Sequence, residues 1–85
     1  MTLIWSIQFR REFTALPARI KERAKKQLAL FSQNPRHPSL QTKKMQGWGN
    51  TWEGRITHDY RFAFIVEGDR YTLRRIGPHD ILNRP

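Results

Sequence analysis

The sequence predicts a small α+β fold in which a short N-terminal strand precedes two helices that pack on one face of an antiparallel β-sheet meander. Three observations support this prediction. Apolar residues recur at helical spacing between residues 7 and 33, three β-rich runs with short turns follow Thr51, and 85 residues suit one domain. We therefore expect a single domain over residues 1–85.

The first strand and the first helix are predicted from the N-terminal residues. Thr2–Trp5 is rich in strand-forming residues. Ser6 is a suitable N-cap for a helix in which Phe9, Phe13 and Leu16 lie at positions i, i+4 and i+7. These apolar residues should form the core face of that helix.

The second helix begins after Pro17, which interrupts the first helix and is favourable at the start of another. Asn34-Pro35 should end it. Its predicted core stripe repeats at helical spacing and consists of Ile20, Ala24, Leu28 and Phe31.

Residues 34–50 are predicted to form a loop, because prolines and glycines interrupt any regular pattern there. The loop carries Arg36, His37, Lys43 and Lys44 and no acidic residue. It could be a passive linker, but loops on a rigid scaffold often carry function, which favours contact with phosphates.

Three strands are predicted after the loop, at Trp52–Ile56, Arg61–Val66 and Arg70–Ile76. Short turns at His58-Asp59 and at Glu67–Asp69 separate them, so the strands should form an antiparallel meander. The two helices should cover one face and leave the other partly open.

The middle strand should place Phe62 and Phe64 under the helices and Arg61 on the opposite, open face. A partly desolvated arginine there would attract a phosphate, or pair with a nearby acid such as Glu53. Arg55 shares the face of Arg61 only if the intervening loop has an odd number of residues, which the sequence leaves open.

The last strand loses its alternation of apolar and polar residues after Leu73, so a β-bulge is predicted at Arg74 and Arg75. Gly77 and Pro78 then end the strand, and His79 follows at its tip. An imidazole can donate or accept a proton near neutral pH, which makes His79 a candidate acid or base.

Composition points to a polyanionic partner. The chain has 16 Lys and Arg against 7 Asp and Glu, a formal net charge of +9. Residues 1–50 hold ten of these bases and two of the acids. The lack of cysteine excludes disulfides and thiolate zinc sites and suits a cytoplasmic protein. The apolar start, Met1–Trp5, is too short for a membrane span or a signal core.

Three motifs follow one another in the second half: Trp52–Ile56 (WEGRI), Asp59–Phe62 (DYRF) and Ile76–Asp80 (IGPHD). In order and spacing they resemble the RelE/ParE superfamily of toxins from type II toxin–antitoxin systems, especially its RelE-like mRNA interferase branch, and the similarity covers nearly the whole chain. It implies a metal-independent and cofactor-free endoribonuclease that cleaves mRNA in the ribosomal A site, contacts rRNA, inhibits translation and is held inactive by a cognate antitoxin.

The resemblance also implies roles for individual residues. Arg61 matches the arginine that stabilises charge on the scissile phosphate, and His79 matches the general acid for the leaving 5′-oxygen. Arg55 and Asp59 fall where a histidine-using branch carries a catalytic His and Asp. The pair Lys43-Lys44 matches the basic loop that grips RNA.

The remaining site candidates are less closely tied to the family pattern. Arg75 is expected to assist Arg61, and the base that removes the 2′-hydroxyl proton is Glu53, Asp80 or a loop lysine. Further candidates for RNA binding are Arg74, His37 and Tyr60. Residues 81–85 lack the Tyr or Phe that many members place after the last strand.

Two other functions remain open from the sequence. One is a non-catalytic DNA gyrase inhibitor like the ParE branch, and the other is a plain basic module that binds RNA or the ribosome. A metal nuclease is less favoured, since His37, His58 and His79 have no ligand spacing.

Overall fold

The computed structural model describes residues 1–85. Two helices and five strands form the fold, together with two short 3₁₀ helices at Pro38–Leu40 and His79–Asn83. In chain order the elements are β1 (Thr2–Trp5), α1 (Ile7–Thr14), α2 (Ala18–Gln33), β2 (Lys43–Lys44), β3 (Thr51–Arg55), β4 (Tyr60–Glu67) and β5 (Arg70–Pro78). The predicted α+β class is confirmed.

The strands form one sheet in the order β1-β5-β4-β3-β2. Strands β3, β4 and β5 make the predicted antiparallel meander. Strand β1 adds a parallel pairing to β5, with Thr2 opposite Arg70. Strand β2 lies within the stretch predicted as loop and pairs with β3; at two residues it is too short to produce a recognisable alternation.

Both helices begin and end close to their predicted signals. The Ser6 hydroxyl accepts a hydrogen bond from the Phe9 N–H at 3.0 Å, which caps α1. Pro17 precedes α2 directly, and Asn34 follows it. Neither helix is both long and apolar enough to cross a membrane.

One hydrophobic core lies between the helices and the sheet. Phe31 of α2 packs edge-on against Phe62 and Phe64 of β4, with ring centroids 5.2 and 4.7 Å away. Gly54 of β3 contacts the Phe62 ring so closely that a side chain there would collide with it. The buried core cluster consists of Phe9, Leu16, Ala24, Leu28, Phe31, Leu40, Ile56, Phe62, Phe64, Leu73 and Ile76.

The opposite face of the sheet is covered in part by the C-terminal 3₁₀ helix. Ala63 of β4 is fully buried although it points away from the core phenylalanines. A Cβ on Gly77 of β5 would lie 2.9 Å from the Ile81 side chain, so glycine permits this close approach.

The predicted bulge is present in β5. Leu73 pairs with Phe64 and Arg75 pairs with Ala63, so Arg74 is the extra residue between them. The bulge restores Ile76 to the core face, where it pairs with Phe62.

Candidate functional site

The β3–β4 hairpin brings two arginines together. Arg55 lies directly opposite Arg61, and the Ile56 N–H donates to the Tyr60 carbonyl at 2.9 Å. The connection therefore has an odd number of residues, which resolves the register that the sequence left open. Because directly opposed residues share a face, both arginines project from the face opposite the core.

Arg61 is held by two contacts and keeps an unused donor. Its Nη2 donates to the His58 carbonyl at 2.7 Å, and its Nη1 lies 3.7 Å from Oε1 of Glu53. The side chains of Arg61 and Glu53 are 11% and 12% exposed. The Nε of Arg61 is buried and has no hydrogen-bond partner.

Arg55 has the same unused donor, and α2 holds its backbone. The Arg55 Nε is buried without a partner. The Arg55 carbonyl accepts a hydrogen bond of 3.0 Å from Nε2 of Gln27, and the neighbouring Ile56 carbonyl accepts one of 3.4 Å from Arg23. Sequence analysis did not single out Gln27; the available signal was its position on the apolar stripe of α2, three residues after Ala24.

Strand β2 adds a lysine to the same face. Lys43 lies opposite Glu53 in the β2–β3 register, and Glu53 shares its face with Arg55. We call Lys43, Glu53, Arg55 and Arg61 the basic cluster. Opposed like charges on neighbouring strands are unfavourable, and a buried unsatisfied donor costs about 1–3 kcal/mol. Three cations around one carboxylate therefore favour a bound anion.

His79 follows β5 at the same end of the sheet. Gly77 is the β5 residue opposite Arg61, two positions before His79. The backbone N–H of His79 donates to the Asp59 carbonyl at 2.8 Å, which fixes its main chain beside the β3–β4 turn. His79 is exposed, so its side chain is open to solvent beside the β3–β4 turn.

Arg75 is committed elsewhere. Its Nε donates to both carboxylate oxygens of Glu12 at 3.2 and 3.0 Å, its Nη2 donates to Glu12 at 2.8 Å, and its Nη1 donates to the Arg84 carbonyl at 2.7 Å. The Ile76 N–H also donates to Glu12, at 3.1 Å. Arg75 therefore joins α1, β5 and the C-terminus. The sequence analysis expected it to assist Arg61, but its guanidinium is bound to Glu12 and the Arg84 carbonyl and does not belong to the basic cluster. Glu12 gave no sequence signal.

Two other candidates lie beside Arg75. Asp80, in the first turn of the C-terminal 3₁₀ helix, and Tyr60 line an open depression with Arg75, next to Leu16 and Pro17 at the α1–α2 junction. Asp80 is exposed and Tyr60 is half-buried against the core.

The remaining RNA-binding candidates are dispersed. Arg74 is exposed at the bulge. His37 caps the first 3₁₀ helix, because its Nδ1 accepts the Ser39 N–H at 3.2 Å. Lys44 is exposed and lies opposite Trp52, on the other face of the sheet from Lys43. No three His, Asp or Glu side chains lie close enough to hold a metal ion.

No family model and no curated protein matches the sequence. Several solved structures are similar in fold. The YoeB/ParE toxin from Agrobacterium tumefaciens superposes with a TM-score of 0.76 at 21% identity, covering 93% of this chain and 99% of that one.

Two further solved structures agree. The RelB-RelE antitoxin-toxin complex from Methanococcus jannaschii gives a TM-score of 0.76 at 23% identity, with 94% of each chain covered. YafQ from E. coli gives 0.77 at 18% identity, also with 94% of each chain covered. The chain therefore has the fold of the RelE/ParE-like toxins.

Proposed function

We propose that this protein is the toxin of a toxin–antitoxin pair, an endoribonuclease that cleaves mRNA in the ribosomal A site and so inhibits translation. The observation that carries the proposal is the pair of arginines, Arg55 and Arg61, which lie directly opposite each other beside Glu53. A phosphate held by both guanidinium groups would relieve the repulsion between them.

The proposed reaction is a metal-independent transesterification. Glu53 is the carboxylate within the basic cluster, and it removes the proton from the 2′-hydroxyl. The 2′-oxygen attacks the adjacent phosphorus while Arg61 and Arg55 stabilise the charge on its non-bridging oxygens. His79, protonated, donates its proton to the departing 5′-oxygen, which leaves a 2′,3′-cyclic phosphate and a 5′-hydroxyl. Each positioned acid or base contributes about 10²–10⁴-fold to such a rate.

The charge and the fold comparisons support the biological setting. A formal net charge of +9 favours association with mRNA and rRNA through their phosphates. One of the similar structures is a RelE toxin in complex with its RelB antitoxin. We infer that a cognate antitoxin binds this chain too, with acidic residues against its Arg and Lys side chains.

A DNA gyrase inhibitor is the second candidate, because the similar structure from A. tumefaciens carries the name ParE as well as YoeB. Such an inhibitor has no need of a carboxylate between two unsatisfied arginines. The buried Glu53 in the basic cluster therefore favours cleavage over inhibition.

Induced expression of matched variants tests the proposal. We expect wild type and Arg19→Ala, which removes an exposed arginine of α2, to arrest growth with cleavage of mRNA mapped by primer extension. Arg61→Ala and His79→Ala should each abolish cleavage, and a chelator should leave the wild-type rate unchanged in a purified translation system. Growth arrest that survives in a variant with both Arg61→Ala and His79→Ala, with broken DNA and intact mRNA, would instead identify a gyrase inhibitor.

A further inference from the structure

We propose that Trp48, at the tip of the β2–β3 hairpin, is a stacking platform for a base of the bound RNA strand. This site is separate from the basic cluster. The proposal deepens the proposed function, since it assumes that the strand is the RNA cleaved at that cluster.

Trp48 differs from the other two tryptophans of the chain. Trp5 and Trp52 are half-buried and pack against the core, whereas Trp48 is 47% exposed. Single exposed apolar residues are common on protein surfaces, so exposure alone is not informative. What distinguishes Trp48 is how the backbone presents it and which charges surround it.

The hairpin tip is a defined turn. The Met45 N–H donates to the Thr51 carbonyl at 2.9 Å, the Thr51 N–H donates to the Trp48 carbonyl at 3.1 Å, and the Trp48 N–H donates to the Met45 carbonyl at 3.4 Å. These bonds close the turn around Trp48 and hold its backbone in one conformation.

The glycines on either side of Trp48 have φ values of +83° for Gly47 and +59° for Gly49. A Cβ at either position would meet nothing within 4 Å. Glycine is therefore favoured at Gly47 and Gly49 by the left-handed backbone conformation and not by lack of space for a side chain. The sequence Gly-Trp-Gly thus builds a turn with the indole at its tip. Because the backbone of the turn is already ordered, little backbone entropy should be lost when a ligand binds there.

The charges around the tip suit a nucleic acid strand. Lys43 and Lys44 precede the turn, are exposed and form no ion pair. No acidic residue occurs anywhere between residues 34 and 50. Proteins that hold single strands combine such cationic side chains, which contact phosphates, with aromatic side chains on which the bases stack.

The position of the tip is compatible with a strand that also reaches the basic cluster. Strand β3 connects the two places, with Thr51 beside the hairpin tip and Arg55 in the cluster. Four residues of strand span about 13 Å. Lys43, opposite Glu53, lies between the two ends. A strand of a few nucleotides along β3 would therefore place one base on Trp48. Since every base has a π-face, this contact should raise affinity without selecting a sequence.

Binding of a 2′-O-methyl oligoribonucleotide, which cannot be cleaved by 2′-hydroxyl attack, tests the inference without any need for catalysis. We expect Trp48→Ala to weaken binding about 5- to 100-fold and Trp48→Phe to retain most of the affinity. RNA should also quench part of the tryptophan fluorescence of wild type, and this part should be missing in Trp48→Phe. The control is Ile7→Ala, which truncates a residue that is 71% exposed on α1.

Affinity at the wild-type level in Trp48→Ala, or an equal loss in Ile7→Ala, would overturn the inference. Unchanged RNA affinity together with weaker binding of a protein partner would also overturn it, and would make Trp48 a protein contact. Circular dichroism and thermal unfolding confirm that each variant is folded. A stacking effect in a protein that fails to cleave mRNA would support Trp48 while contradicting the proposed function, so the two failures are distinguishable.

Discussion

Two arginine–glutamate pairs lie on the sheet, and they are built differently. Arg75 and Glu12 form a bidentate pair with a closest approach of 2.8 Å, and the remaining carboxylate capacity is used by the Ile76 N–H. Arg61 and Glu53 approach only to 3.7 Å. Although the Arg61 pair is the more buried of the two, its guanidinium keeps a donor without a partner.

The difference separates a pair whose hydrogen bonds are completed within the chain from a pair whose hydrogen bonds are not. Burying two charges is costly unless good geometry and further hydrogen bonds compensate for the lost water. Glu12 and Arg75 meet that condition within the chain, since they tie α1 to β5 and to the Arg84 carbonyl. Arg61 and Glu53 do not, and Arg55 opposite Arg61 adds repulsion. An anionic ligand would complete the second pair, whereas the first needs none.

The largest effect on stability is expected from Glu12→Ala. This change leaves the Arg75 guanidinium and the Ile76 N–H without their acceptor, so we expect a loss of about 3–5 kcal/mol in the free energy of unfolding. Urea denaturation measures it. The control is Glu22→Ala, which removes a 76% exposed carboxylate paired only with Lys25 and should change the stability by about 0.5 kcal/mol or less. A loss of similar size in the two variants would contradict the distinction between the pairs.

A smaller effect on stability, but a larger one on anion binding, is expected from Arg61→Ala. The variant loses one hydrogen bond to the His58 carbonyl and one long ion pair but is relieved of the repulsion from Arg55, so about 1–2 kcal/mol should be lost. A ligand that binds only the folded state stabilises it. Inorganic phosphate should therefore raise the Tm of wild type more than chloride at the same ionic strength does.

That increase in Tm should be absent in Arg61→Ala and retained in Arg74→Ala, which removes an exposed arginine at the bulge of β5. Equal stabilisation of all three proteins by phosphate would show that the ion binds elsewhere. The basic cluster would then not be an anion site.

Much of the fold follows from local sequence signals. Ser6 caps α1, Pro17 separates the helices and the loss of alternation at Arg74 predicts the bulge, because each signal acts within a few residues. The two-residue strand β2 is too short to give a periodic pattern. Its pairing depends on β3, which is brought beside it only by the tertiary structure.

The site was predictable only in part. Alternation along β4 places Arg61 on the face away from the core, but the position of Arg55 depends on the length of a turn that the residues His58-Asp59 do not determine. The contact between Arg75 and Glu12 joins residues 63 apart in the chain. No periodicity or motif encodes such a contact. The sequence analysis therefore placed Arg75 at the phosphate, whereas Glu12 of α1 holds its guanidinium.

The smallest expected effect compares two adjacent lysines. Lys43 and Lys44 are both exposed, but alternation places only Lys43 on the face of Glu53 and Arg61. Replacing either by alanine should weaken RNA binding similarly and reduce the slope of log K against log salt by about 1, because each removes one phosphate contact.

Only Lys43→Ala should also slow the cleavage of RNA that is already bound, by about tenfold, because its charge acts on the same phosphate as Arg61. Single-turnover cleavage at saturating protein separates this step from binding. Equal rates in the two variants would mean that the charge of β2 serves only to hold the strand. The position of Lys43 on the face of Arg61 would then have no part in the chemistry.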